Sequence, residues 1–110
     1  MARVPVCKVA KVTEMPIGSK KSFKVSKTRV LIVNLEGAFY GLQPLCSHLG
    51  NPLFTGRLEG DTLWCENHGA GFEVSTGRVK RNPFGGAHIC PLRTYRVWVE
   101  GSDIMADVPE

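Results

Sequence analysis

The sequence has no long apolar run and no signal-peptide pattern in its first residues, and these absences limit what the chain can be. Its 110 residues are enough for about one domain. No window approaches the roughly 20 apolar residues needed to cross a bilayer. The first ten residues lack the charged and apolar regions of a secretory signal peptide. We therefore expect one domain over residues 1–110, located in the reducing cytoplasm and not inserted in a membrane.

The composition also gives little support for disulfide bonds or for binding to nucleic acid. The four cysteines favour metal or redox chemistry over disulfide bonds in a reducing compartment. The formal net charge of +4 is compatible with an acidic protein surface as partner. No aromatic ladder accompanies the densest basic cluster, so nucleic acid is not an expected partner. That cluster consists of Lys20, Lys21, Lys24 and Lys27.

Short β-type runs between turn residues dominate the chain, and no window of helical length has a 3.6-residue apolar period. This pattern predicts an all-β fold, an antiparallel sandwich or barrel. Two segments, Gln43 to Thr55 and Asn82 to Pro91, are expected to be loops. Strands are predicted at Val4 to Val12, Arg29 to Leu35, Ala38 to Leu42, Leu58 to Trp64 around a turn, Gly71 to Val74, Arg78 to Lys80, Arg93 to Glu100 and Ile104 to Val108.

Two short motifs contain metal-binding side chains. Cys46 and His48 form a C-x-H pair, and after sixteen intervening residues Cys65 and His68 form a C-x-x-H pair. Two thiolates and two imidazoles make a four-ligand set that suits a two-iron cluster with mixed ligation. The same set also suits a structural zinc ion. The residues alone therefore predict a metal centre and leave both metals open.

The longer context of the motifs resembles the Rieske-type ferredoxins. It reads CSHLGNPL at 46–53 and CENHGAGFEVSTG at 65–77, and the resemblance extends over nearly the whole chain. It implies one [2Fe–2S] cluster per chain, with Cys46 and Cys65 on one iron and His48 and His68 on the other. It also implies an antiparallel β base with a small cluster-binding subdomain of two loops, about residues 43–82.

Differences in sequence from other Rieske proteins lead to further expectations about the reduction potential and the relatives of this chain. In cytochrome bc-type complexes a Ser and a Tyr donate hydrogen bonds to the cluster sulfurs, and the corresponding positions here are Ala70 and Phe72. Their absence implies a potential near the low end of the Rieske range, about −150 mV. The cysteine pair that links the two loops in those proteins corresponds to Asn51 and Asn67 here. This pattern is similar to the ferredoxin components of bacterial ring-hydroxylating dioxygenases.

The resemblance implies a one-electron carrier and not an enzyme. Such ferredoxins take electrons from a reductase and pass them to a terminal oxygenase through small, transient contacts. A small subunit of a nitrite reductase-type complex is one alternative, and a zinc-stabilised binding module is another.

Several other residues receive structural interpretations. Cys7 and Cys90 are expected to be buried apolar residues, and His88 a surface or hydrogen-bonded residue. Phe72 and Val74 are expected to pack beneath the cluster. A set of loop residues is expected to cover the cluster, to form a docking face, or both: Leu49, Pro52, Leu53, Pro83 and Phe84. Lys80 and Arg81 lie just before the loop Asn82 to Pro91 and could steer an acidic partner.

Overall fold

The computed structural model describes residues 7–25, 28–46, 52–53, 55–65, 69–83, 85 and 88–107. Within these ranges the chain forms β-strands and one short 3-10 helix, Val12–Glu14. No helix there is long and apolar enough to span a membrane. The strands are β1 (Cys7–Lys11), β2 (Lys20–Val25), β3 (Thr28–Leu35), β4 (Ala38–Leu42), β5 (Arg57–Glu59), β6 (Thr62–Trp64), β7 (Gly71–Glu73), β8 (Val79–Arg81), β9 (Thr94–Glu100) and β10 (Asp103–Asp107).

The strands form two antiparallel sheets. The six-stranded sheet has the order β1-β10-β9-β4-β3-β2, and the four-stranded sheet has the order β5-β6-β7-β8. Strands β4 and β9 are neighbours in the larger sheet, although the whole smaller sheet lies between them in sequence. The smaller sheet and the motif loops are therefore an insertion between two adjacent strands. This arrangement confirms the all-β antiparallel fold predicted from the sequence.

The apolar run in β3 is buried on both faces of the larger sheet. Leu31 and Val33 belong to a hydrophobic cluster shared with the smaller sheet. Val30 and Ile32 belong to a second cluster with residues of β2 and β10. Because side chains alternate along a strand, one run supplies both cores, and this explains why β3 reads as continuously apolar.

Most strand predictions are confirmed within one or two residues, and one strand was missed. The sequence interpretation left Lys20–Val25 as a basic cluster, whereas it forms β2 and pairs along its length with β3. Only Phe23 and Val25 of this strand join a core. At a sheet edge the remaining positions are open to water, so lysines are tolerated there. Residues 4–6 and 108 of the two terminal predictions lie outside the described residues.

Asn34 anchors the segment after β1 to the β3–β4 hairpin. Its side chain is 4% exposed; its Nδ2 donates to the Met15 carbonyl at 2.7 Å, and its Oδ1 accepts from the Gly37 amide at 2.9 Å. Replacement of Asn34 by alanine leaves both backbone groups without this partner. We expect a loss of about 2 kcal/mol in the free energy of unfolding, measured by urea titration of the holoprotein. Asn82→Ala, at an exposed position, is the control and should cost little; equal losses would contradict this role.

Candidate metal centre

Cys46 lies at the start of the first motif loop, just beyond β4. Leu45 and Pro52 form an antiparallel bridge, and the Leu53 amide donates to the Pro44 carbonyl at 2.9 Å. These contacts bring the two ends of the loop together. The Cys46 side chain is only 2% exposed. The first predicted ligand is thus held at the neck of a closed loop and points into the protein interior.

Cys65 holds the equivalent position directly after β6. Its amide donates to the Ala70 carbonyl at 2.8 Å, and its carbonyl accepts from the Gly69 amide at 3.1 Å. Gly69 has a positive φ of 76°, a conformation that glycine adopts without steric cost. The second loop is therefore also closed at its neck, and Cys65 is 2% exposed.

The two cysteines belong to one hydrophobic cluster. Ala70, Phe72 and Val74 are fully buried in the same cluster, so Phe72 and Val74 are core residues, as predicted, and share that core with both cysteines. Two thiols in an apolar interior are soft donors and fit one iron of a two-iron cluster. The chemistry of the described part of the site therefore fits the predicted cofactor.

The two predicted imidazole ligands, His48 and His68, lie outside the described residues. Among the predicted loop residues, Leu53 and Pro83 are buried, whereas Pro52 is exposed. The first two therefore contribute to the interior and are not part of a docking face. Leu49 and Phe84 also lie outside the described residues.

The prediction for Cys90 was wrong, because its side chain is exposed. Ile89 packs against the cluster that contains both motif cysteines, and Leu92 is buried in it. These flanking residues take the interior positions of the segment and leave Cys90 on the outside. His88 is exposed, as predicted. The structure does not describe the side chain of Cys7.

Charged side chains on the smaller sheet largely pair with one another. Lys80 Nζ lies 2.9 Å from Asp61 Oδ1, and Arg78 lies 3.6 Å from Glu73. Hydrogen bonds from Lys80 and then Thr62 hold the pKa of Asp61 below its usual value. Because Lys80 already has an acidic neighbour, its charge is less available for steering a partner than the sequence suggested.

Trp64 and Gly71 form a packing contact beside Cys65. The two residues are paired across β6 and β7, and a Cβ atom on Gly71 would lie 2.6 Å from Cζ3 of the Trp64 ring. Because Gly71 has no side chain, the Trp64 indole can pack directly over it, one residue before Cys65. The sequence shows a glycine after Ala70 but does not indicate which residue covers it.

Gln43 is a site residue that the sequence did not identify. Its backbone amide donates to the Arg93 carbonyl at 2.8 Å. Its side-chain Oε1 accepts from the Arg93 amide at 2.7 Å, and its Nε2 donates to the Leu45 carbonyl at 2.8 Å. One residue thus joins the neck of the first loop to the segment that leads into β9. A single glutamine beside a proline gives no pattern from which this role can be predicted.

Replacement of Gln43 by leucine removes both side-chain hydrogen bonds. We expect a loss of about 1 kcal/mol in stability, since these bonds are partly exposed to water, and faster loss of the visible chromophore. Absorbance decay in the presence of a chelator measures this. Gln43→Glu keeps the acceptor for Arg93 and should fall between the two proteins. Identical decay in all three would show that Gln43 does not hold the loop.

Comparisons with known proteins agree with this geometry. Residues 5–96 match the model of the Rieske [2Fe-2S] domain family. The chain is 37% identical, over 100% of its length and 97% of the relative's, to the 3-phenylpropionate/cinnamic acid dioxygenase ferredoxin subunit of Shigella boydii serotype 4 (strain Sb227). It is 34% identical to the ferredoxin component of biphenyl 2,3-dioxygenase from Rhodococcus jostii (strain RHA1), over 98% of this chain and 94% of the relative.

A solved structure shows the same fold. It is a complex of reduced oxygenase and oxidized ferredoxin in carbazole 1,9a-dioxygenase, and the match has a TM-score of 0.81 and 25% identity over 92% of this chain and 91% of the matched chain. The family match covers most of the sequence and includes both cysteine motifs. The chain therefore belongs to the Rieske [2Fe–2S] domain family and carries one such cluster.

Proposed function

We propose that this chain is a one-electron carrier that takes electrons from a reductase and delivers them to a terminal oxygenase. The observation that carries the proposal is the burial of Cys46 and Cys65 in one hydrophobic cluster, each at the neck of a closed loop. In this proposal residues 1–110 form a single domain, and about 43–82 form its cluster-binding subdomain.

Four residues hold the cluster in this proposal. Cys46 and Cys65 bind one iron, and His48 and His68 bind the other. When bound, the cluster supplies a site that accepts and releases one electron without binding substrate. The chain's own contribution is to hold these side chains in closed loops and to exclude water from the buried cysteines. The burial of both cysteines and the family match support this assignment.

The protein environment favours a low reduction potential. Ala70 and Phe72 are fully buried in the cluster of residues that contains both cysteines. Neither side chain has a hydrogen-bond donor, so neither stabilises the additional negative charge of the reduced state. We therefore propose a potential near the low end of the Rieske range, about −150 mV, that changes little with pH around neutrality.

The partner assignment is supported by the relatives. Two proteins similar over nearly their full length are ferredoxin components of aromatic dioxygenases, and a similar ferredoxin is found in complex with an oxygenase. A carrier that contributes two thiolates also needs reduced cysteines, so we propose that it acts in the cytoplasm.

The test is an electron paramagnetic resonance spectrum of the protein after anaerobic reconstitution with iron and sulfide and reduction with dithionite. We expect the low average g value of mixed histidine and cysteine ligation, and a midpoint near the low end of the range by voltammetry at several pH values. Turnover of a terminal oxygenase should depend on this chain when a reductase and NADH are present. Colourless protein that retains zinc would contradict the proposal and favour the binding module. Activity only as a fixed nitrite reductase subunit would contradict the oxygenase partner.

A further inference from the structure

The charges of this chain are distributed very unevenly. Residues 1–29 contain eight Lys and Arg residues and one Glu, for a formal charge of +7, whereas residues 30–110 contain six basic and nine acidic residues, for a formal charge of −3. The net charge of +4 therefore understates the positive charge of the first 29 residues. Such asymmetry creates a local field that a partner can recognise.

The fold places two of these charges directly opposite each other. Lys24 on β2 pairs in register with Arg29 on β3, and both side chains are exposed. Like charges on opposite positions of an antiparallel pair are destabilising. Within the described part of the chain, neither side chain has an acidic neighbour that would compensate for this. Stability of the hairpin does not explain the pair, which we call the basic corner.

The basic corner lies on the same side of the larger sheet as the cysteines. Along β3 the side chains of Arg29, Leu31 and Val33 share one face, and the two apolar residues belong to the hydrophobic cluster that contains both cysteines. Leu31 pairs with Leu42, the last residue of β4 before the first motif loop. Arg29 is two residues beyond Leu31 towards that end, about 7 Å along the strand.

Three bases of the smaller sheet and its turns are compensated by acids. Arg57, Arg78 and Lys80 on the smaller sheet each lie within ion-pair distance of a carboxylate. The basic corner differs from them because its two charges repel each other. Its positive potential therefore extends into the solvent at the end of the β2–β3 hairpin that lies towards the first motif loop.

We propose that the basic corner, Lys24 and Arg29, is part of the docking surface for an acidic face of the terminal oxygenase, the kind of partner with which a similar ferredoxin is found in complex. This inference rests on the proposed function and adds the chemistry of the partner. Complementary charges on a docking surface orient a short-lived complex and raise its rate of formation at low salt. They need not make the complex tight.

A gold electrode coated with a carboxylate-terminated alkanethiol monolayer serves as a defined acidic surface. The holoprotein should exchange electrons rapidly with it at low ionic strength. The double variant Lys24→Gln/Arg29→Gln should exchange electrons about tenfold more slowly. The control Lys11→Gln/Lys21→Gln removes the same charge at two other exposed positions and should remain close to wild type. Equal slowing of both variants, or of neither, would overturn the basic corner.

Stopped-flow mixing identifies which partner uses the surface. With the purified reductase and oxygenase of the same system, the Lys24→Gln/Arg29→Gln protein should be reduced normally but should reduce the oxygenase more slowly at low salt. A defect confined to the reductase step would overturn the assignment to the oxygenase. A wild-type protein without the paramagnetic signal of a reduced cluster would instead contradict the proposed function, so the two failures are distinguishable.

Discussion

Replacement of Cys46 or Cys65 by serine will abolish the visible absorption and the reduced-state paramagnetic signal of the reconstituted protein. Both side chains are 2% exposed and lie in one apolar cluster. A serine hydroxyl is a poor substitute for a soft thiolate at iron, and an unliganded hydroxyl in this interior also has an unfavourable desolvation energy. We expect iron and sulfide contents near zero for either variant, measured by colorimetric analysis after desalting.

Cys90→Ser is the matched control, because it makes the same chemical change at an exposed cysteine. It should retain wild-type iron content and spectrum. Circular dichroism of each variant distinguishes loss of the cluster from loss of the whole fold. A normal iron content in Cys46→Ser or Cys65→Ser, or its loss in Cys90→Ser, would contradict the ligand assignment.

Replacement of Gly77 by alanine will destabilise the junction between the two sheets severely. A Cβ atom at this position would lie 2.2 Å from the Leu92 carbonyl oxygen, and Gly77 has a φ of +77°. The Gly77 carbonyl also accepts a hydrogen bond from the Leu92 amide at 2.7 Å. Relief of the clash requires this connection to move, so we expect a loss of about 3 kcal/mol or more. Urea unfolding of the holoprotein measures it.

Gly101→Ala separates the steric clash from the backbone strain. Gly101 also has a positive φ, of 62°, but a Cβ atom there would have no neighbour within 4 Å. Its replacement should therefore cost only the strain of a left-handed residue, about 1 kcal/mol. If the two alanine variants unfold at the same urea concentration, the contact between Gly77 and Leu92 does not hold the sheets together.

Local sequence patterns predicted the strands and the cysteine motifs but not the long-range pairing. The β3–β4 hairpin could be predicted because its two apolar runs flank a short turn. The pairing of β4 with β9 places Leu42 opposite Thr94, although the whole smaller sheet lies between them in sequence. No periodicity in either strand indicates this pairing. Strand β2 was missed because an edge strand needs few apolar residues, so its lysines appeared to form only a charge cluster.

The same limit applies to individual site residues. Spacing alone singled out Cys46 and Cys65 as the proposed thiolate ligands, since thiol and imidazole pairs are uncommon and specific. It could not show that Cys90 is exposed, because burial there depends on Ile89 and Leu92 occupying the interior positions of an irregular segment. Nor could it identify Gln43, whose hydrogen bonds to Arg93 cross fifty residues of sequence.

The insertion between β4 and β9 has a consequence for how the protein acquires its iron. The insertion begins after β4 and ends before β9, and these two strands are hydrogen-bonded neighbours. The other strands can therefore pack together while the inserted lobe, which comprises the smaller sheet and the motif loops, is still open. While it is unfolded, the insertion is a long loop between two paired strands. The entropic cost of closing such a loop rises only slowly with its length, so the open insertion adds little to the cost of folding the other strands. We expect maturation to proceed by iron delivery to a locally open lobe on a preformed β base, with metal loss reversing only that last stage.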